Sequence, residues 1–393
     1  MYILTRYVVW EVLKYFLAAV VALTLVVTPV MAVQKGLQEG FPALVILRIM
    51  PFMLPEILGI TVPASMLFSI CSVFGRMTGA NEIVALKSLG ISPMAAVWPA
   101  LVLTSFVSLG TVWMYELAAT WCKPMVMRVG CDSFEEIVIG MLQSTRHCER
   151  DQFPFSVNVK RVDKPAKPGD RPRLIEPTIT IKGPPKITIQ AAEATIWTDW
   201  TDRKLHLECI QGEFDMKGRA RILSSGKDEF TVPIPTPDLN RFHYHRDYVA
   251  MRDIPDLVAE LQNQLVPMQN ELRTLEQNPQ ANAAAIAAKT AEINERSFTM
   301  RRLKAEPYRR WANGFTCLCF ALLGAPVAML WRHADVLTNF FVCFLPILAI
   351  YYPLLMLSDD LATSGKMPPY SFWTANIVLA IPAIGLLRWI VRH

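Results

Sequence analysis

Few residues in this chain have the types and spacing that chemistry needs. His243 and His245 flank Tyr244 and offer two imidazoles, but a zinc site takes three or four ligands and no third lies near in sequence. Ser225-Gly226-Lys227-Asp228 has the Gly-Lys of a phosphate loop without its earlier glycine or its closing Ser/Thr. There is no Gly-x-Ser-x-Gly and no His-Glu-x-x-His, and no cysteine pair has Cys-x-x-Cys spacing. Catalytic, cofactor-binding and metal-ligating residues are therefore expected to be absent. What remains is electrostatic. Lys35, Arg48, Arg309 and Arg310 are cations at the margins of apolar runs. Arg pairs bidentately with phosphate and Lys acts as a point charge, so a basic rim of this kind suits an anionic lipid headgroup. The plainer alternative is snorkelling to headgroups as ordinary anchors. Glu56 sits deeper, among Pro51, Pro55 and Pro63, with Arg48 two helical turns before it as a candidate partner and a partner chain as the alternative. Glu116 reads as an interfacial carboxylate.

The elements that must position these charges follow from composition. Of 393 residues 52% are hydrophobic and 19% charged, where soluble domains run closer to about a quarter charged. Residues 122–307 hold 27 of the 39 Lys+Arg and 26 of the 34 Asp+Glu, which leaves two very apolar blocks on either side. A simple soluble enzyme is excluded. Apolar runs long enough to cross a bilayer recur at 15–33, 57–74, 91–115, 311–331, 336–358 and 367–387. Six spans in two groups of three are expected. The first run is too long for a signal-peptide core, so it is read as a retained helix. With the N-terminus inside, Arg6, Lys14, Arg76, Lys87, Arg332, Arg388 and Arg392 line the inner face, against Lys35, Arg48 and Lys366 outside. Counting Arg309 and Arg310 outside narrows that margin without reversing it. Both termini are then cytoplasmic and the charged middle is outside. The net charge of +5 comes mostly from these flanking residues and is no nucleic-acid footprint.

The middle changes character once. Phe155, Val157 and Val159 alternate with other residues, as do Ile179 and Ile181, Ile187 and Ile189, and Leu205, Leu207 and Cys209. That is the period of half-buried strands, and Gly183-Pro184-Pro185, Gly212, Gly218 and Gly226 punctuate them, so an antiparallel sandwich or open barrel is expected. Cys122, Cys131, Cys148 and Cys209 fall in this outer part, where a disulfide is possible. After Arg252 the leucines at 257, 261, 265, 272 and 275, with Met268, make a helical stripe that reads as packing. Pro267 argues against a long regular coiled coil. An Ala-rich helix follows Asn278-Pro279, so a helical hairpin or a stalk feeding the fourth span is expected.

The most informative stretch runs from Gly75 to Pro93: Gly-Arg-Met-Thr-Gly-Ala-Asn-Glu-Ile-Val-Ala-Leu-Lys-Ser-Leu-Gly-Ile-Ser-Pro. Glu82 suits the positive first turn of a short helix, Gly90 is a C-terminal stop, and Ser92-Pro93 start the third span. A separate helix at about 80–90, lying across the membrane face, is expected. The segment resembles the coupling-helix region of the LptF/LptG (YjgP/YjgQ) permeases of the lipopolysaccharide exporter. Two further stretches share the resemblance. Glu306-Pro-Tyr-Arg-Arg-Trp-Ala312 with Leu323-Gly-Ala-Pro-Val-Ala328 looks like the family's entry into span four. Gly365-Lys-Met-Pro-Pro-Tyr-Ser-Phe-Trp-Thr-Ala-Asn376 looks like its last outer loop and the start of span six.

The resemblance implies a permease without catalysis of its own, which extracts lipopolysaccharide or a related anionic glycolipid from the bacterial inner membrane towards a periplasmic bridge. It implies a cytosolic ABC ATPase dimer, a second such permease and a single-span accessory protein as partners, with Gly79, Ala80, Glu82, Ile83, Leu86 and Gly90 at the ATPase contact. Lys35 and Arg48, then Arg309 and Arg310, are the lipid-binding candidates. The expected layout is spans one to three at 1–121, a periplasmic β-jellyroll-like domain at 122–252, a periplasmic helical extension at 253–307, and spans four to six at 308–393. The extension is longer and more helical than the family pattern. Two other readings remain: a membrane-anchored sensor or scaffold with a ligand-binding outer domain, and a force-transmitting ABC permease that moves no lipid.

Overall fold

The structure, a computed structural model, describes residues 2–38, 42–149, 155–163, 172–181, 187–199, 204–215, 221–223, 226–233, 244–277, 283–331 and 336–392. His243, Ser225, Gly183-Pro184-Pro185 and Arg332 lie outside the described residues, as do the side chains of Cys131 and Cys148.

In chain order the helices are α1 (Tyr2–Gln38), α2 (Ala43–Gly79), the short α3 (Glu82–Ser88), α4 (Met94–Leu117), α5 (Lys123–Asp132) and α6 (Phe134–Thr145). After a sheet come α7 (Ile254–Glu276), α8 (Ala283–Gly314), α9 (Thr316–Leu330), α10 (Val336–Pro346), α11 (Tyr352–Ser364) and α12 (Trp373–Arg392). Single π turns, Ala118–Cys122 and Ile347–Tyr351, join α4 to α5 and α10 to α11. Six helices among the described residues are long and apolar enough to cross a membrane: Tyr2–Gln38, Ala43–Gly79, Met94–Val126, Ala283–Leu330, Val336–Ser364 and Pro369–Arg392. Their number agrees with the hydropathy reading, and each extends beyond its apolar run. A helix in lipid satisfies its own backbone, so nothing stops it at the membrane surface.

The chain forms two compact units, Met1–Thr28 with Met53–Lys123 and His243–His393, and Pro29–Phe52 with Pro124–Phe242. In the first unit α2 and α9 are the central helices. Their apolar windows are 72% and 67% buried, against 17% for α1 and for the α10–α11 span. Small residues allow this. A Cβ on Gly324 would lie 3.0 Å from Leu67 and 3.3 Å from Cys71 Sγ, so the helices approach where side chains are missing. Around that contact Val8, Val12, Phe74, Ala96, Ala325 and Leu387 form one apolar cluster, and Phe320, Cys343, Ile347 and Tyr351 belong to a second. Polar side chains buried in α4 turn back on their own helix: Thr104 donates to Ala100 O at 2.7 Å and Thr111 to Val107 O at 2.9 Å.

The helices α7 and α8 pair as a hairpin, with Leu257 and Leu261 packed with Leu303, and Leu265 and Met268 with Ile293. The leucine stripe is thus a packing face. α7 continues through Pro267, and α8 runs unbroken to Gly314 at the head of the fourth span.

The second unit holds the sheet: β1 (His147–Glu149), β2 (Phe155–Asn158), β3 (Arg161–Asp163), β4 (Arg173–Ile175), β5 (Thr178–Ile181), β6 (Ile187–Asp199), β7 (Lys204–Asp215), β8 (Arg221–Leu223) and β9 (Lys227–Pro233). All pairings are antiparallel. β6 carries β5 and β4 in succession on one edge and β7 on the other, and β7 carries β8 and β9 on its far edge. Val157, Ile179, Ile189, Ala194, Ile196 and Cys209 are buried, in keeping with the period-two alternation of the sequence. Glu176, at φ 48°, makes the sharp turn that lets β4 and β5 share the edge of β6.

Candidate functional site

At one end of the first unit, α3 follows directly on α2. Asn81 adopts the left-handed conformation (φ 58°) to turn the chain, and Gly90 does the same at φ 74° with open space where a Cβ would stand. α3 is seven residues long, so it is shorter at each end than the expected 80–90. One side packs down: Ile83 is 5% exposed and Leu86 half-buried against the helix core, and Lys87 Nζ donates to Ile390 O at 3.2 Å. The other side is open. Asn81, Val84, Ala85, Ser88 and Leu89 recur at the spacing of one helical face and are exposed, Leu89 at 74%. Gly79, Ala80 and Gly90 are exposed at its ends, while Glu82 is half-buried. Tyr7 OH lies 3.4 Å from both Glu82 oxygens, and Arg76 donates to Tyr7 OH at 3.1 Å and to Glu11 at 2.9 Å. The sequence reading did not single out the exposed Val84, Ala85 and Leu89. Both faces of this short helix are apolar, so periodicity alone could not say which one packs.

At the other end, where α4 finishes and α8 meets the bundle, charges converge. Arg310 is 2% and Glu306 1% exposed. Arg310 donates to Glu306 at 2.9 Å, to Glu116 at 2.6 Å, and to the carbonyls of Arg246 and Val249 at 3.0 Å each. Arg309 donates to both Glu306 oxygens at 2.7 Å and to Asp247 at 3.0 Å. Arg246 makes a bidentate pair with Asp359 at 2.8 and 3.0 Å. Glu116 also accepts from Met251 N at 2.9 Å, so it is a structural anchor and not merely an interfacial carboxylate. Lys123 lies 3.4 Å from Glu56 and 3.8 Å from Asp247. Helical spacing explains why Glu56 does not meet Arg48: eight residues rise about 12 Å, beyond ion-pair reach. Arg48 instead lies 3.7 Å from Glu136, both half exposed.

The four basic candidates therefore stand differently. Arg309 and Arg310 have their donors engaged by carboxylates and carbonyls within the first unit. Lys35 and Arg48 belong to the second unit; Lys35 makes no ion pair among the described residues, and Arg48 keeps only its exposed contact with Glu136. None of the described residues forms a group of three His, Cys, Asp or Glu side chains that could hold a metal ion.

Asp247 shows what the cluster does electrostatically. Burial alone would raise its carboxyl, but the cations around it, Lys123 first and then Arg309 and Arg246, hold it below the usual range. The neighbouring His245 is pushed down by burial, and its Nδ1 is the acceptor for Asp247 N at 3.4 Å. A depressed carboxylate stabilises the fold above its unfolded pKa of about 3.9 and loses that contribution as pH falls through the lower folded value. Thermal melts of purified protein from pH 6 downward are expected to show an acid limb that Asp247→Asn flattens. An unchanged limb in the variant would mean that the cations do not stabilise Asp247.

Six apolar helices in two triplets, with an antiparallel sheet between the triplets in chain order, define a polytopic membrane protein. The chain matches the family model described as the lipopolysaccharide export system permease LptF/LptG over residues 6–129 and 167–389, and it belongs to that family. It is thus a transporter permease, a multi-pass protein of the inner membrane, and not an enzyme. A comparison with curated proteins finds no match.

Proposed function

We propose that this permease extracts lipopolysaccharide, or a related anionic glycolipid, from the inner membrane and passes it through its β domain to a periplasmic bridge. The observation that carries the reading is the open face of α3. Val84, Ala85 and Leu89 present an apolar strip at the end of the bundle while Ile83 and Lys87 tie the helix down behind it. A short, anchored helix with an exposed apolar face suits docking into a groove of a cytosolic ABC ATPase, which then supplies the ATP hydrolysis. Glu82 stands at its edge for an ionic contact, and the exposed Gly79, Ala80 and Gly90 leave room for close approach. On this reading the α3 end and both termini are cytoplasmic and the β domain periplasmic, as the excess of Lys and Arg in the short inner segments supports. The partners are an ATPase dimer, a second permease of the family and a single-span accessory protein. Lys35 and Arg48 are the cations left for lipid phosphates.

The test is copurification of the tagged permease with its coexpressed ATPase. Leu89→Asp and Glu82→Arg are each expected to lower the recovered ATPase by at least about tenfold, the effect of losing a central interface contact. Recovery at the unaltered level in both variants would remove the main support for this reading.

A further inference from the structure

The charged cluster does more than neutralise itself, because much of it closes on one short segment. Tyr244–Asp253 is the stretch by which the chain returns from the sheet to the helices. The helix hairpin holds its start, where Tyr244 donates to Glu260 of α7 at 2.7 Å, and helices of three spans grip the rest. α4 supplies Glu116, which accepts from Met251 N. α8, at the head of the fourth span, supplies Arg310 to the carbonyls of Arg246 and Val249, and Arg309 to Asp247. α11, in the fifth span, supplies Asp359 to Arg246. The third and fourth spans are also joined directly, by Arg310 and Glu116 at 2.6 Å. The fifth differs: among the described residues, the ion pair of Asp359 is with Arg246, whose Nε lies 3.9 Å from Glu306. Arg301 of α8 donates to the carbonyl of Thr363 on α11 at 3.0 Å, but the ion pair that joins the fifth span to the other two runs through Arg246, which sits on the returning segment itself.

The fifth span is, with the first, the least buried, and it is suited to move. Its apolar window is only 17% buried, and the π turn at Ile347–Tyr351, just after Pro346, interrupts its regular hydrogen bonding. Displacement of α11 against α4 and α8 strains the Arg301–Thr363 bond, and it either breaks the Arg246–Asp359 pair or pulls the returning segment with it. Two parallel charge-assisted bonds with the Arg side chain mostly buried favour the pull.

We infer that Arg246 and Asp359 are positioning residues that couple movement of the fifth span, through the strap Tyr244–Asp253, to the chain leading into the β domain. The inference rests on the export reading and adds to it the element that links ATP-driven movement of the spans to lipid release.

The experiment uses the assembled exporter in proteoliposomes and measures ATP hydrolysis and lipopolysaccharide release together. Asp359→Asn keeps the shape of the side chain and removes its charge. Release per ATP is expected to fall about tenfold, within the usual range of coupling between sites, with hydrolysis changed by less than about twofold. Asp359→Glu, which restores the charge, is expected to recover most of the yield. A purely structural role would lower hydrolysis and release together, in step with the amount of assembled complex, and that result overturns the proposal. So does an unchanged yield per ATP in Asp359→Asn. If the unaltered complex hydrolyses ATP and releases no lipopolysaccharide, the export reading itself fails and the strap proposal fails with it.

Discussion

Replacing Arg310 with methionine is expected to cost about 3–5 kcal/mol, the range found when one partner of a buried ion pair is removed. The size follows from what is left behind. Glu306 is 1% exposed and would retain Arg309 but lose its second guanidinium. Glu116 would lose a 2.6 Å contact, and the carbonyls of Arg246 and Val249 would lose their donor, the latter in a buried bond. The measurement is a thermal or chemical melt of the purified protein, with yield of folded material as a second reading. Glu306→Gln alone is expected to be costly for the converse reason, since two guanidiniums then face a neutral group. The double variant is expected to cost less than the sum of the two, because the pair's own attraction is lost only once. Additive effects would mean that Arg310 and Glu306 do not act as a pair.

The second large effect is steric. A Cβ on Gly314 would run into the Val112 side chain and come within 3.0 Å of its backbone nitrogen and 3.2 Å of its Cα. Here α8 and α4 cross backbone to backbone, and no side chain fits between them. Gly314→Leu is expected to destabilise by at least about 1–3 kcal/mol, as overpacking of a close-packed site does. Val112→Ala should recover only part of that loss, since it removes the obstructing methyls and leaves the backbone in place. A Gly314→Leu protein that melts like the unaltered one would show that the two helices do not cross this closely. Because Gly314 lies one turn beyond Arg310, the steric and ionic contacts fix the same crossing, and either change should also disturb the returning segment.

Much of the architecture was legible in the residues. Lipid rewards an uninterrupted apolar helix and penalises any exposed backbone, so the six runs could be counted without knowing what packs on what. The alternation of Val157, Ile179, Ile189 and Cys209 disclosed strands because one face of a sheet must be apolar. The resemblance around Glu82, Glu306 and Gly365 pointed to the family that the chain belongs to.

The charges were less legible. Arg309 and Arg310 read as a lipid-facing rim, because a cation beside a span looks the same whether it meets a phosphate or a carboxylate from elsewhere in the chain. Their carboxylates are at positions 116, 247 and 306, and only the last is a sequence neighbour. Glu56 had Arg48 on its own helix or a partner chain as candidate partners, and it lies 3.4 Å from Lys123 instead. On α3 the residues singled out included Ile83, which packs inward, and omitted Leu89, which does not.

The sequence by itself determined the local quantities: how many helices are long enough to cross, where strands alternate, and that Gly90 ends the short helix after the second span. Each depends on residues within a few positions of one another. Only the tertiary structure decided which cations are committed and which remain free, which face of α3 is open, and that α4, α8 and α11 grip one returning segment. Those outcomes depend on pairs far apart in the chain, 194 residues for Glu116 and Arg310 and 303 for Lys87 and Ile390, and an ion pair in a dry site is strong only when folding brings both partners within reach.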